Sequence, residues 1–469
     1  MEPAAESTQP RYNLGYVWLI SLVAAMGGLL FGYDWVVIGG AKPFFEPFFN
    51  LTRESLRGWA NSCALLGCLA GAVLSGGMSD KFGRKRLLVV AALLFAVSSV
   101  LTGWASSFSW FVSFRILGGV AIGLASNLSP MYIAEVAPAH IRGRLVATNQ
   151  LTIVIGILSA QIVNWLIARA VPNGATAEFI RQSWFGQYGW RWMFTAVAVP
   201  SLLFFVGSLF IPESPRWLVK NGRPDMARRV LAKIGGGPFA EAEVRDIQST
   251  LSGREIQRVR FQDLLEPKMT KILFVGVTLA VLQQWSGINV IFNYAEEIFR
   301  GAGYGVSSIM FNIVITGAVN LLFTLIAIQT VDRFGRRALM LVGCAGIAFF
   351  HTLIGLGYML HLKGPVVVAP VLATLACYGF SLAPITWVLI SEIFPNRIRG
   401  AAVSVSTSAL WIACFILTYT FPLLNGALGP AKTFWLYALI CSAGCVFIFL
   451  RVPETKGKTL EQIERELVD

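Results

Sequence analysis

Two opposite charges stand inside stretches that are otherwise apolar. Asp34 lies in the run that begins at Leu14, and Arg115 in the run that begins at Ser109. An unpaired charge at the centre of a bilayer costs on the order of 3 kcal/mol or more, so such residues pair, line water or carry function. With about 1.5 Å of rise per helical residue, Asp34 falls late in its run and Arg115 early in its own. Antiparallel helices therefore bring them to similar depth. A carboxylate beside a guanidinium can load and release a proton as that pairing changes. A purely structural ion pair is the plainer alternative.

A second group is polar without charge. The segment Gln283-Gln284-Trp-Ser-Gly287-Ile-Asn289-Val-Ile-Phe-Asn293 places four amides in an apolar run. Amides at that depth face a partner or a cavity. A straight helix would point Gln283 and Asn289 about 120° apart. Gly287 lies between them and allows a break that would bring them together. Asn289 and Asn293 are spaced to share a face. Amides suit hydroxyl-rich ligands, because each offers donors and an acceptor without charge. Hydrogen bonding between helices is the plainer reading here.

The elements that must position these groups follow from composition. Of 469 residues, 55% are hydrophobic and only 13% charged, with a mean hydropathy of +0.65. A soluble domain carries about 25% charged residues, so the excess apolar surface here is expected to face lipid. Roughly 20 apolar residues of helix span a bilayer. Such runs start near Leu14, Leu56, Leu87, Ser109, Leu145 and Trp190, and again near Thr270, Val306, Ala338, Pro365, Ala401 and Thr433. The expected architecture is an all-α membrane protein of twelve spans. A tail (1–13) precedes a six-helix bundle (14–211), a linker (212–269), a second bundle (270–451) and a closing tail (452–469). Within the linker, Pro224 to Ile234 and Ala240 to Leu251 read as short helices.

The net charge of +13 does not point to nucleic acid, because the basic residues sit in short clusters between apolar runs. Lys81, Arg84, Lys85, Arg142, Arg144, Arg333, Arg337 and Arg397 fall in loops on one side, which the positive-inside rule assigns to the cytoplasm together with both termini. The N-terminus lacks a signal-peptide pattern. All seven cysteines lie in apolar runs without metal-ligand spacing, so neither a metal nor a disulfide framework is expected. His351 and His361 read as packed or hydrogen-bonded groups. Gly28/Gly32, Gly67/Gly71 and Gly119/Gly123 read as contacts that let helices approach. No G-x-x-x-x-G-K-[ST] phosphate loop occurs, which argues against an ATP-driven pump or an enzyme.

The chain also repeats itself. Asp80-Lys-Phe-Gly-Arg84-Lys recurs as Asp332-Arg-Phe-Gly-Arg336-Arg, and the stretch from Glu135 to Arg142 recurs from Glu392 to Arg399. Pro-Glu213-Ser-Pro-Arg216 has a weaker echo in Pro-Glu454-Thr-Lys-Gly. Two parallel six-helix halves with matching loops is a transporter architecture. These charges are expected to link the halves at the cytoplasmic end when the molecule faces outward, and to part when it faces inward. Simple anchoring of helix ends is the alternative.

These loops, with Phe31-Gly-Tyr-Asp34 and Ser-Glu392-Ile-Phe-Pro-Asn, resemble the sugar porters of the major facilitator superfamily, from about Gly28 to Leu460. The likeness is to bacterial proton-coupled xylose symporters and, beyond them, to animal facilitative glucose carriers. The resemblance implies two pseudo-symmetric bundles, a sugar site and a proton-coupling role for Asp34 and Arg115. It maps sugar ligands to Gln150, Gln283, Gln284, Asn289 and Asn320, with Phe31 and Trp387 as apolar walls and Asn293 and Trp411 beside them. Four positions depart from the symporter pattern. Val197 stands where a Glu joins the charged pair, Ile157 and Leu410 replace amide positions, and Asn293 replaces a Tyr. The expected function is proton-coupled symport of a pentose or hexose by alternating access, with no cofactor beyond the proton and a monomeric form in an inner membrane. An uncoupled sugar or inositol carrier is the nearest alternative, and a non-transporting sugar sensor a further one.

Overall fold

Without water, only a helix satisfies every backbone polar group of a single segment, and the long apolar runs fold accordingly. The computed structural model describes residues 12–172, 175–252, 266–394 and 399–456, with the side chains of 177, 250–252, 332, 391, 399 and 400 outside that description. Among the described residues, eleven helical stretches are long and apolar enough to cross a membrane.

Helices α1 (Leu14–Phe48), α2 (Glu54–Phe82), α3 (Arg84–Gly103), α4 (Phe108–Val136) and α5 (Arg142–Ala168) are followed by a sixth span that ends in α6 (Ala198–Phe210). Two further helices, α7 (Pro215–Lys220) and α8 (Pro224–Ser252, bent at Gly236), lie between the halves in sequence. The second half opens with α9 (Pro267–Trp285), α10 (Ile288–Asn293) and α11 (Ala295–Gly301). It continues with α12 (Val306–Phe334), α13 (Arg336–Met359), α14 (Pro365–Phe380) and α15 (Leu382–Ile393). The last stretch, α16 (Arg399–Arg451), has 53 residues and non-helical backbone at Gly429. A continuous helix of that length would be roughly 80 Å long at about 1.5 Å per residue, more than twice a hydrocarbon core of about 30 Å, and the stretch is instead two helices that meet at Gly429.

Contacts fix the relative direction of the halves. Ser307, at the start of α12, donates to the carbonyl of Arg169, just past the end of α5, at 3.2 Å. The two helices are therefore antiparallel, and the end of α12 lies with the start of α5. Both Phe-Gly-Arg loops thus occupy one end of the bundle, called here the loop end. The N-terminal segment joins them there, since the Asn13 amide donates to the Ile234 carbonyl of α8 at 2.8 Å.

Packing between α2 and α4 depends on glycine, as the sequence suggests. A Cβ on Gly67 would run into the Ile116 carbonyl, and one on Gly119 into that of Ala64. Large apolar side chains such as Leu203, Phe311, Val342, Leu439 and Phe449 stay exposed on the outside of the bundle. That is the surface a lipid solvent requires.

Candidate functional site

Asp34 and Arg115 pair as their depths predict. Arg115 Nη1 donates to Asp34 Oδ1 at 2.9 Å and Oδ2 at 3.0 Å, and Nη2 reaches the Asp34 carbonyl at 3.4 Å. Both residues are 3% exposed. The Phe194 ring covers the guanidinium at 5.4 Å. Val197 is fully buried.

The break expected at Gly287 is present. Its φ of 83° is left-handed, which glycine adopts without strain, and it separates α9 from α10. Asn289 is thereby swung back to donate to Gln284, which donates to Gln283 Oε1 at 3.1 Å. Gln283 in turn donates to the carbonyls of Leu382 and Ala383 at 3.3 and 3.2 Å. Those carbonyls open α15, directly after a second break at Ser381. Asn289 also donates to the Cys414 sulfur at 3.1 Å. Three of the four amides, Asn289, Gln284 and Gln283, are thus a hydrogen-bonded chain.

Of the two readings left open for these amides, a partner or a cavity, the hydrogen bonds supply partners for three. Gln283, Gln284 and Asn289 are 3%, 8% and 7% exposed and satisfy one another, as groups without water must. A cavity of about 560 Å³ opens elsewhere, at the far end of the bundle, lined by Glu46, Arg57, Arg181, Glu296, Arg300 and their neighbours. Even so, polar atoms are left over near the amides. Asn293 Oδ1, Asn320 Oδ1 and Trp411 Nε1 are buried with no hydrogen-bond partner among the described residues. Gln150 is half-buried within its spanning segment, where an amide is costly against lipid and favourable against a wet or ligand-filled space.

The aromatic walls are only partly as expected. Phe31 and Trp411 meet across the halves at 5.8 Å between ring centres, and Trp35 closes the group at 6.3 and 6.1 Å. Trp35 was hidden in the sequence by the apolar run around it. Trp387 is 38% exposed and outside this trio.

The repeated charges form two matching clusters at the loop end. In the first, Arg84 pairs with Glu135 at 3.0 Å and Asp80 at 3.3 Å, and Lys220 meets Asp80 at 2.9 Å. In the second, Arg336 reaches Glu392 at 3.5 Å, and Thr455 donates to Glu392 at 2.6 Å. Each of these ion pairs stays within its own half. Arg142 is exposed and donates to the Ala137 carbonyl at 3.4 Å, and Arg216 is exposed. The side chains of Asp332 and Arg399 lie outside the described residues.

Glu213 and Glu454 have a different task from the one expected. Glu213 accepts the backbone amides of Arg84 at 2.9 Å and Lys85 at 3.1 Å. Glu454 accepts those of Arg336 at 3.0 Å and Arg337 at 3.1 Å. Each caps the first turn of the third helix of its half, where orphan amides and the helix dipole favour a carboxylate. The loop glycines, Gly83 and Gly335, hold φ of 95° and 89°, and a Cβ on either would collide with the capping carboxylate.

His351 Nε2 donates to the Ser286 carbonyl, 2.8 Å away, which the Gly287 break leaves without a helical partner. A group the sequence did not single out lies at the far end. Lys42 on α1 pairs with Glu297 on α11, so the halves are tied there. Gln161 and Thr316 join them nearby at 3.3 Å.

The family model described as "Sugar (and other) transporter" matches residues 20–467. The D-xylose-proton symporter of Escherichia coli K12 is 38% identical over 97% of this chain and 96% of its own. A glucose transport protein of Synechocystis is 40% identical over 99% of this chain and all of its own. The inward open structure of the E. coli xylose transporter superposes with a TM-score of 0.84 at 37% identity, covering 96% of this chain and 99% of that one.

Proposed function

Since the chain belongs to the sugar porter family of the major facilitator superfamily, a family of transporters and not of enzymes, we propose that it is a proton-coupled symporter of a monosaccharide, a pentose or a hexose. The observation that carries this reading is the buried Asp34–Arg115 pair. Asp34 adjoins Trp35, which belongs to the aromatic trio spanning the halves. Movement of one half against the other therefore acts on a carboxylate able to change its proton occupancy.

In this reading the bundles 14–211 and 270–451 rock about the amides, with twelve spans once α16 is divided at Gly429. The far end faces the exterior, and the loop end and both termini face the cytoplasm of a bacterial inner membrane. Gln150, Gln283, Gln284, Asn289, Asn293 and Asn320 receive sugar hydroxyls, and Phe31 and Trp411 bound the ligand. Entry of the sugar exchanges the amide-to-amide bonds for amide-to-hydroxyl bonds and supplies partners to Asn293, Asn320 and Trp411. Ties at the far end, with the loop-end clusters closed within each half, support an inward-facing state. No cofactor is required besides the proton.

One observation favours an uncoupled carrier instead. Val197 leaves Arg115 with Asp34 as its only carboxylate partner among the described residues. Purified protein in liposomes separates the two readings. A symporter accumulates labelled xylose or glucose above the outside concentration when the exterior is acidified, and an ionophore abolishes this. Equilibration without accumulation of any sugar tested would establish the uncoupled carrier.

A further inference from the structure

The far end of the bundle carries a contact that the pair and the amides do not explain. Gly39 on α1 lies so near the Phe292 carbonyl that a side chain there has no room. One turn on, Lys42 is 1% exposed. Its ammonium engages Glu297 of the second half, lies 3.6 Å from Glu46 on its own helix and sits 4.0 Å from the centre of the Tyr294 ring. Tyr294 in turn donates to the Thr418 carbonyl on α16 at 2.7 Å. Lys42 therefore touches α11 directly and α16 through one tyrosine.

We propose that Lys42 is the closing latch of the far gate, whose pairing with Glu297 sets the balance between the states closed and open at that end. The inference rests on alternating access. A buried lysine is costly unless its charge is met, and Glu297 meets it only when the halves approach. Without the ammonium, Glu46, Glu296 and Glu297 are crowded with too little positive charge between them. Repulsion and the recovery of hydration then drive the halves apart at this end. At the loop end the ion pairs Arg84–Glu135, Arg84–Asp80, Lys220–Asp80 and Arg336–Glu392 each join groups of one half.

Thiol labelling of the purified protein tests this. Ile309 is fully buried and lines the floor of the far-end cavity, so a cysteine there reports opening, with the protein lacking it as background. Lys42→Met is expected to speed labelling of I309C about tenfold or more, and Glu297→Gln to do so less. Lys42→Arg should keep it slow. The exchanged pair, Lys42→Glu with Glu297→Lys, should regain the protection that either change alone removes. Unchanged labelling in Lys42→Met, or in Glu297→Gln if the former does not fold, would overturn the latch. So would an exchanged pair that labels as fast as Lys42→Met. The measurement uses neither sugar nor a proton gradient, so it can fail while symport stands, and succeed if the solute or the coupling is assigned wrongly.

Discussion

A single nitrogen of Arg115, Nη1, bonds both carboxylate oxygens of Asp34, at 2.9 and 3.0 Å, with both side chains out of solvent. Asp34→Asn keeps the shape and loses the charge, and under the proposed symport it removes the proton carrier. Uphill accumulation should vanish while sugar exchange across liposomes stays within about threefold, the size expected for loss of roughly 0.6 kcal/mol. Arg115→Ala and Asp34→Asn each leave a buried charge without its partner, at a cost of about 3–5 kcal/mol. A fall in melting temperature is therefore expected in both, and only Asp34→Asn should keep sugar exchange.

The capping carboxylates make a symmetric prediction. Glu213→Ala and Glu454→Ala each remove a cap of two backbone amides, worth about 1–2 kcal/mol at a helix N-terminus. Gly83→Ala should cost at least as much, because it forces a left-handed backbone and displaces the same carboxylate. Combining Gly83→Ala with Glu213→Ala should cost clearly less than the sum of the two, since both break one contact. Detergent-solubilised melting curves measure this. Full additivity would show that the glycine and the glutamate act independently.

The spans were legible as apolar runs of bilayer length, the Asp34–Arg115 pair as charges that lipid does not tolerate without cause, and the break as the one glycine between the amides at Gly287. Partner choice was not legible in the same way. Four amides in one run suggest a cavity equally well as a chain, and only the turn at Gly287 decides that Asn289 reaches Gln284. Glu213 and Glu454 stand among charges that repeat, so they read as members of a charge network. Their carboxylates in fact serve backbone amides more than a hundred residues away in sequence. Lys42 looked like one more basic residue near a helix end, because its burial depends wholly on the second half closing over it.

The amide chain predicts graded effects on affinity. Asn289 and Gln284 each give up one bond to a neighbour and gain one to a hydroxyl, so each net contribution is about 0.5–1.5 kcal/mol. Asn289→Ala and Gln284→Ala should raise the KM for counterflow about two- to twelvefold and leave folding intact. Gln283→Ala should do more, since Gln283 also ties α9 to the first carbonyls of α15. Loss of melting temperature together with affinity is expected for that variant. Equal effects at the three positions would mean that Gln283 has no part in holding the Ser381 break.

Glu296 gives the far gate a pH dependence whose sign is fixed by its surroundings. It lies just past the spanning segment that ends at Asn293 and is 3% exposed. Burial, and next the charge of Glu297, push its carboxyl from 4.5 up to about 7, against the pull of Arg300 and Lys42 and with a further push from Glu46. When the far end opens, water reaches Glu296 and its affinity for the proton returns toward the ordinary value. The closed form thus holds a proton that the open form releases. Its advantage is complete below about 4.5, declines as the pH rises and is gone above about 7. Labelling of a cysteine at Ile309 should accordingly be slow in acid and quicken with a midpoint near 7. Glu296→Gln, which imitates the protonated carboxyl, should hold the slow rate at every pH. A rate that instead quickens toward acid, or that keeps its pH dependence in Glu296→Gln, removes Glu296 from the gate.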